Sequence, residues 1–147
     1  MTKGFALALC FSGIAVGLTG CGQVSAAEHF TLVYIERPKN YYQKPLHVTI
    51  TNANTVIALY RDIRALKPFS PEDLHCPADF GIDYRIEFIS EHGLALIANA
   101  DPTGCSEVQM STGKPLWAIG NKGQAFWREL AKAMGMPRVN DLWSQAP

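Results

Sequence analysis

Three patterns in the sequence predict an α+β fold. Residues 83–89 alternate apolar and charged side chains, and a second apolar run, 94–98, follows across Glu91-His92-Gly93, the signature of an antiparallel hairpin. Two further stretches, 54–66 and 124–134, repeat apolar residues at helical spacing, and each is followed by a proline-bearing segment. Clusters of Gly, Pro, Asp, Asn and Ser separate these runs. The expected architecture is an antiparallel sheet of about four to five strands with two helices packed on one face, in the order β-α-β-β-β-β-α.

The elements follow in chain order. Residues 30–35 are apolar and β-prone, a candidate N-terminal strand that either joins the sheet or lies on its open face. Residues 37–45, with Pro38, Pro45, Tyr41 and Tyr42, read as a loop. Residues 46–50 alternate, directing Leu46, Val48 and Ile50 to a core and His47 away from it. Thr51 or Asn54 is placed to cap a helix reaching about Leu66, whose apolar stripe is Val56, Leu59, Tyr60 and Ile63. The β-branched run Thr55-Val56-Ile57 competes as a strand, but the helical spacing persists to Pro68.

Residues 68–81 are rich in turn formers and read as a loop with Cys76 near its middle. Tyr84, Ile86 and Phe88 then face inward, and the near-continuous apolar run 94–98 suggests a central strand or one covered on both faces. Asp101-Pro102-Thr103-Gly104 turns into a strand at 105–110, Ser111-Thr112-Gly113-Lys114 turns again, and 116–119 reads as a short edge strand. The last helix, from Gln124 to about Met134, presents Phe126, Trp127, Leu130 and Met134, and Gly135 and Pro137 end it. The proline-bearing tail to Pro147 reads as loose, though Val139, Leu142 and Trp143 offer apolar side chains that could pack back.

The N-terminus divides as an export signal does. Lys3 supplies a positive start, residues 5–18 are apolar or small apart from Ser12, and the core is too short to span a bilayer comfortably. It ends in Leu18-Thr19-Gly20-Cys21, which resembles the lipobox of bacterial lipoproteins. That resemblance implies cleavage after Gly20, with Cys21 as the first mature residue and the site of lipid attachment. Two or more acyl chains would hold the protein firmly to membrane where one would not. The expected organisation is a signal peptide at 1–20, an acylated tether at 21–29 and one α+β domain at 30–147. Gly22 follows Cys21 where Asp does not, which by resemblance to enteric lipoproteins favours the periplasmic side of an outer membrane. In a cell without one, the outer face of the cell membrane is expected.

Cleavage would leave 127 residues, enough for one domain with a core and short for two. The full chain balances 13 basic against 13 acidic residues, so it lacks the basic field that nucleic acid requires. Cys10 would leave with the leader, and in an exported chain the remaining pair, Cys76 and Cys105, is most simply a disulfide. Cys-Pro-Ala-Asp-Phe-Gly from Cys76, Asp-Tyr-Arg-Ile-Glu-Phe from Asp83, Gly-Cys-Ser-Glu-Val from Gly104 and Phe-Trp-Arg-Glu-Leu from Phe126 look like small exported bacterial lipoproteins of unknown function. That likeness implies a bridged α+β domain and assigns no activity.

No arrangement of residues in the sequence predicts catalysis, a metal or a cofactor. His75 adjoins Cys76, but an oxidised cysteine cannot act as a nucleophile. His29, His47, His75 and His92 lack ligand spacing, and Asp79 and Asp83, with Glu72 and Asp73 upstream, read as solvated turn carboxylates more readily than as a calcium loop. Gly120-Asn121-Lys122-Gly123 before a helix could cradle an anion, but it lacks the phosphate-loop motif, and a turn and cap is the better reading. Trp117, Phe126 and Trp127 suit an apolar pocket or, more commonly, a core. Tyr34, Tyr41 and Tyr42 are the candidates for an exposed recognition surface.

The leading expectation is a membrane-anchored envelope lipoprotein working as a non-catalytic binding or structural module. Its partners would be membrane lipid, through Cys21, and another envelope protein. The alternatives are a small cell-envelope hydrolase, drawing carboxylates from Glu36, Asp79, Asp83 or Glu87, and an enzyme inhibitor presenting loop 68–81.

Overall fold

The computed structural model describes residues 30–38, 44–70 and 75–143. The expected signal peptide, the tether with Cys21, Tyr41 and Tyr42, and the upstream carboxylates Glu72 and Asp73 lie outside the described residues. Seven strands form one antiparallel sheet: β1 (Phe30–Arg37), β2 (Leu46–Ile50), β3 (Lys67–Pro68), β4 (Tyr84–Ser90), β5 (Gly93–Ala100), β6 (Glu107–Met110) and β7 (Leu116–Trp117). Their spatial order is β2-β1-β4-β5-β6-β7-β3. Helix α1 (Ala53–Arg64) follows β2, helix α2 (Gly120–Ala133) follows β7, and a 3₁₀ turn (Val139–Leu142) ends the described chain.

The class, the antiparallel pairing and the two helices match the sequence expectation, and the strand count exceeds it. The N-terminal strand inserts between β2 and β4, pairing Ile35 with both Val48 and Ile86. The unexpected strand is β3, which lies in the segment read as helix end and loop. Helix α1 starts from one margin of the sheet, at β2, and the chain resumes as a strand at the other, at β3. There Lys67 and Pro68 pair with Trp117 and Leu116, so β7 is an interior strand and not the expected edge. Two residues ending in proline carry no readable alternation, and only the position where α1 delivers the chain makes them a strand.

Alternation sets the core. Val33 and Ile35 of β1, Tyr84, Ile86 and Phe88 of β4, Ala98 and Ala100 of β5, and Val108 and Met110 of β6 are buried on one sheet face. Val56, Leu59 and Ile63 of α1 and Phe126, Trp127, Leu130 and Ala131 of α2 complete the same cluster, so both helices cover that face. Phe30, Tyr60 and Phe88 interlock at one end, with ring centroids 5.0 to 5.8 Å apart. Leu142 is fully buried, and Val139 and Trp143 pack against the cluster, so the tail as far as Trp143 is packed and not loose, its apolar side chains outweighing its prolines.

Local chemistry explains the helix ends. Asn52, between the two expected caps, accepts the Thr55 N–H through Oδ1 at 3.1 Å and starts α1. Helix α2 begins four residues before the expected Gln124, at Gly120. That early start depends on Gly123: a Cβ there would lie 2.1 Å from the backbone carbonyl of Ala118. Beyond α2, Gly135 N–H bonds to the Lys132 carbonyl and Met136 N–H to the Ala131 carbonyl, the paired bonds of a Schellman motif around a left-handed glycine.

Candidate binding surface

With both helices on one face, the other face of the sheet carries the alternate residues of each strand. Strand register places them in rows. One row runs His47, Glu36, Arg85, Asn99 and Gln109 across β2, β1, β4, β5 and β6. The neighbouring row runs Thr49, Tyr34, Glu87 and Ile97. Arg85 Nε donates to Glu87 Oε1 at 2.7 Å within one strand, joining the rows. Tyr34 is 44% exposed. The run 94–98 is thus in an interior strand but is not covered on both faces: Leu94 is exposed on this side.

Two shallow clefts mark this face. One, of about 280 Å³, lies among Tyr34, Glu36, His47, Thr49, Arg85 and Glu87. The second, of about 430 Å³, is bounded by Glu36, Pro38, Asp83, Arg85 and Asn99. Two of the four carboxylates considered for hydrolysis, Glu36 and Asp83, therefore share a cleft, while Glu87 is bonded to Arg85.

The fourth, Asp79, belongs to a separate corner fastened by the Cys76–Cys105 disulfide, whose Cα atoms are 4.8 Å apart. The bridge brings the segment before β4 against the β5–β6 turn, where Gly104 N–H bonds to the Ala78 carbonyl. Thr103 is the hub of this corner. Its backbone N–H donates to Asp101 Oδ1 at 2.7 Å, and its Oγ1 lies 2.7 Å from Asp101 Oδ1 and 3.1 Å from Asp79 Oδ1. A hydroxyl has one proton, so it serves one of the two carboxylates at a time. Gly81 N–H donates to Asp79 Oδ1 at 2.7 Å, and Phe80 N–H donates to Thr103 Oγ1 at 3.3 Å.

Partial burial, together with the negative charges of Asp101 and then Asp79, raises the Asp83 pKa above its ordinary 3.8. Among the described residues, no group of three or more His, Cys, Asp and Glu side chains is arranged to hold a metal ion. His75 and His92 are exposed, and Cys76 is bridged.

A second polar cluster lies inside. Arg37, 9% exposed, donates through Nε and Nη2 to the Lys44 carbonyl and through Nη1 to Tyr84 Oη at 3.2 Å. Its guanidinium carbon is 5.7 Å from the Tyr84 ring centroid. Tyr84 Oη in turn donates to the Leu142 carbonyl at 2.8 Å. Burial raises the Tyr84 pKa, opposed by the hydrogen bond and charge of Arg37. Sequence reasoning missed this chain, because inward Arg37 reads as the start of a loop; the alternation of Val33 and Ile35 is the signal that would have extended the strand to it.

Of the aromatic residues weighed for a pocket, Phe126 and Trp127 are buried in the core, with Trp127 Nε1 bonded to the Ala118 carbonyl. Trp117 is only partly buried, beside Phe69 at β3. No described helix is long and apolar enough to cross a membrane. No protein-family model matches the chain, and no curated protein or solved structure is significantly similar to it.

Proposed function

We propose that this protein is a membrane-anchored envelope lipoprotein acting as a non-catalytic binding or structural module, with the sheet face opposite the two described helices turned to another envelope protein. The observation that carries this reading is the one-sided packing of the sheet, which leaves Tyr34 exposed beside mixed polar and apolar neighbours. Surfaces that combine an aromatic residue, hydrogen-bonding groups and few net charges suit protein recognition. The lipobox at residues 18–21 supports the anchor, and the disulfide suits an oxidising compartment outside the cytoplasm.

Cell fractionation and in-cell photocrosslinking test both parts. Cys21→Ala should release the protein from membranes, and intact-mass analysis of the native protein should find residue 21 acylated and the leader gone. A photoreactive residue at Tyr34 should yield a discrete protein adduct that the same residue at Lys132, exposed on α2, does not. Unchanged membrane association of Cys21→Ala would refute the anchor, and equal adducts at both positions would refute the face.

One observation favours a second reading, a small cell-envelope hydrolase. Glu36 and Asp83 border one cleft, and Asp83 holds its proton more tightly than an ordinary aspartate. Turnover of cell-wall or lipid material that Glu36→Gln and Asp83→Asn each abolish would establish it, and no turnover by the wild type would remove it.

A further inference from the structure

At one margin of the sheet β3, β7 and the start of α2 meet. A cleft of about 400 Å³ there is lined by Lys67, Trp117, Ile119, Gly120, Asn121 and Lys122. Its volume is within the range of small-molecule sites, roughly 300–1,000 Å³. We propose that this cleft binds a small organic anion: a carboxylate carried on an aromatic or aliphatic body.

Charge complementarity selects this occupant. The cleft wall is mostly apolar, and its two charged lining residues, Lys67 and Lys122, are both cations. Neither is engaged in an ion pair or a side-chain hydrogen bond among the described residues. Glu107, the carboxylate in register with this site, is separated from Lys67 by the width of β7, with Trp117 between them. Four cations elsewhere among the described residues do have a carboxylate partner, in Arg61–Asp62, Arg85–Glu87, Lys132–Glu129 and Arg138–Asp141.

The apolar side of the site is equally defined. Ile119 is 48% exposed at the cleft. Trp117 is held by its own Nε1, which donates to the Cys105 carbonyl at 3.0 Å, and by edge contact with Phe69 at 5.7 Å between centroids. A ring fixed on two sides offers contact area at little cost in side-chain freedom. The start of α2 adds to the polar side. Ile119 provides no side-chain cap, and the first bond in the turn is Gly123 N–H to the Ile119 carbonyl. The N–H groups before it have no carbonyl one turn earlier in the helix, and the helix dipole favours negative charge beside them. Gly123 makes the arrangement possible, because only a residue without Cβ lets α2 start this close to Ala118. Of the residues the sequence suggested for an anion cradle and for an aromatic pocket, Gly120, Asn121, Lys122 and Trp117 line this cleft, while Phe126 and Trp127 are in the core.

The test uses the full-length Cys21→Ala chain, which keeps acyl groups out of the measurement and makes the result independent of the anchor. The probes are 1-naphthoate and its neutral counterpart 1-naphthylmethanol, and the readout is the Trp117 indole N–H signal in an NMR titration, assigned with Trp117→Phe. Naphthoate should shift that signal saturably and bind about tenfold more tightly than the alcohol, through the combined attraction of two exposed lysines and a helix start. Lys67→Gln with Lys122→Gln should abolish the preference while alcohol binding persists, and Lys132→Gln should leave it unchanged. Absence of a Trp117 shift, equal affinity for acid and alcohol, or a preference that survives loss of both lysines would overturn the proposal. A shift produced by phosphatidylglycerol vesicles and not by naphthoate would also overturn it, assigning the site to a membrane surface.

Discussion

Two polar clusters lie on opposite sides of the same sheet, and each is built without the partner that simple charge matching would supply. Inside, Arg37 is a buried cation bonded to a carbonyl and a phenol, with no carboxylate in contact among the described residues. Outside, Asp83 lies near enough to Asp101 and Asp79 of the disulfide corner to feel their charges, none of the three is in an ion pair among the described residues, and Asp79 and Asp101 are bonded to backbone N–H groups and a threonine hydroxyl. Asp83 and Tyr84 are adjacent in sequence, yet alternation sends one to the open side and the other to the core, where Arg37 is. Strand geometry, not electrostatic attraction, decides which groups meet. The inner cluster is held by packing and hydrogen bonds, whereas a disulfide fastens the corner beside which the like charges meet.

The largest expected effect tests that tie. Cys76→Ser combined with Cys105→Ser should cost roughly 3–4 kcal/mol in the chain-entropy account of a loop this long, read as a lowered denaturant midpoint. Reducing agent should have the same effect on the wild type and none on the double variant. A midpoint unchanged by either would mean that the corner holds itself.

Next is the inner cluster. Tyr84→Phe leaves the Leu142 carbonyl and an Arg37 donor without their partner, and should cost about 1–3 kcal/mol. Its pH dependence sharpens the contrast. Because burial raises the folded-state pKa of Tyr84 above 10.0, the unfolded chain ionises first, so stability falls as pH rises past 10.0. Tyr84→Phe should remove that alkaline contribution, which paired urea titrations at pH 8 and above 10 would reveal.

The smallest effect belongs to the outer cluster and has the opposite sign. The raised pKa of Asp83 means that the folded state binds the proton more tightly than the unfolded state. Its charged form is therefore destabilising at neutral pH, and this cost disappears as pH falls through the folded-state pKa toward 3.8. Asp83→Asn should be slightly more stable than the wild type at pH 7, by less than either loss above, with the gap closing on acidification. A gap that widens in acid would mean that Asp83 has a favourable partner.

What could be read in advance was set by local pattern. The alternation of Tyr84, Ile86 and Phe88, the helical spacing of Val56, Leu59 and Ile63, and the isolated pair Cys76 and Cys105 each state their structure within a short window or by simple count. Strand β3 and the early start of α2 do not. Lys67 and Pro68 become a strand only because α1 delivers them beside β7, and Gly120 and Gly123 read as a turn until the backbone of Ala118 is brought against them. The candidate cleft has the same origin: Lys67 and Lys122 are 55 positions apart, and no periodicity connects them. The open face was half legible, since alternation identifies its residues but not which neighbours share a row.

The brevity of β3 has a bearing on self-association. A sheet can grow wherever a boundary strand offers free amides and carbonyls to a foreign chain. On one side this sheet stops at a lysine and a proline, a charge followed by a residue with no amide proton, over a length too short to template another strand. The opposite boundary, Leu46–Ile50, has five residues and no proline within it. Fibrillar or strand-swapped forms of this protein, where they arise, should propagate from that side alone.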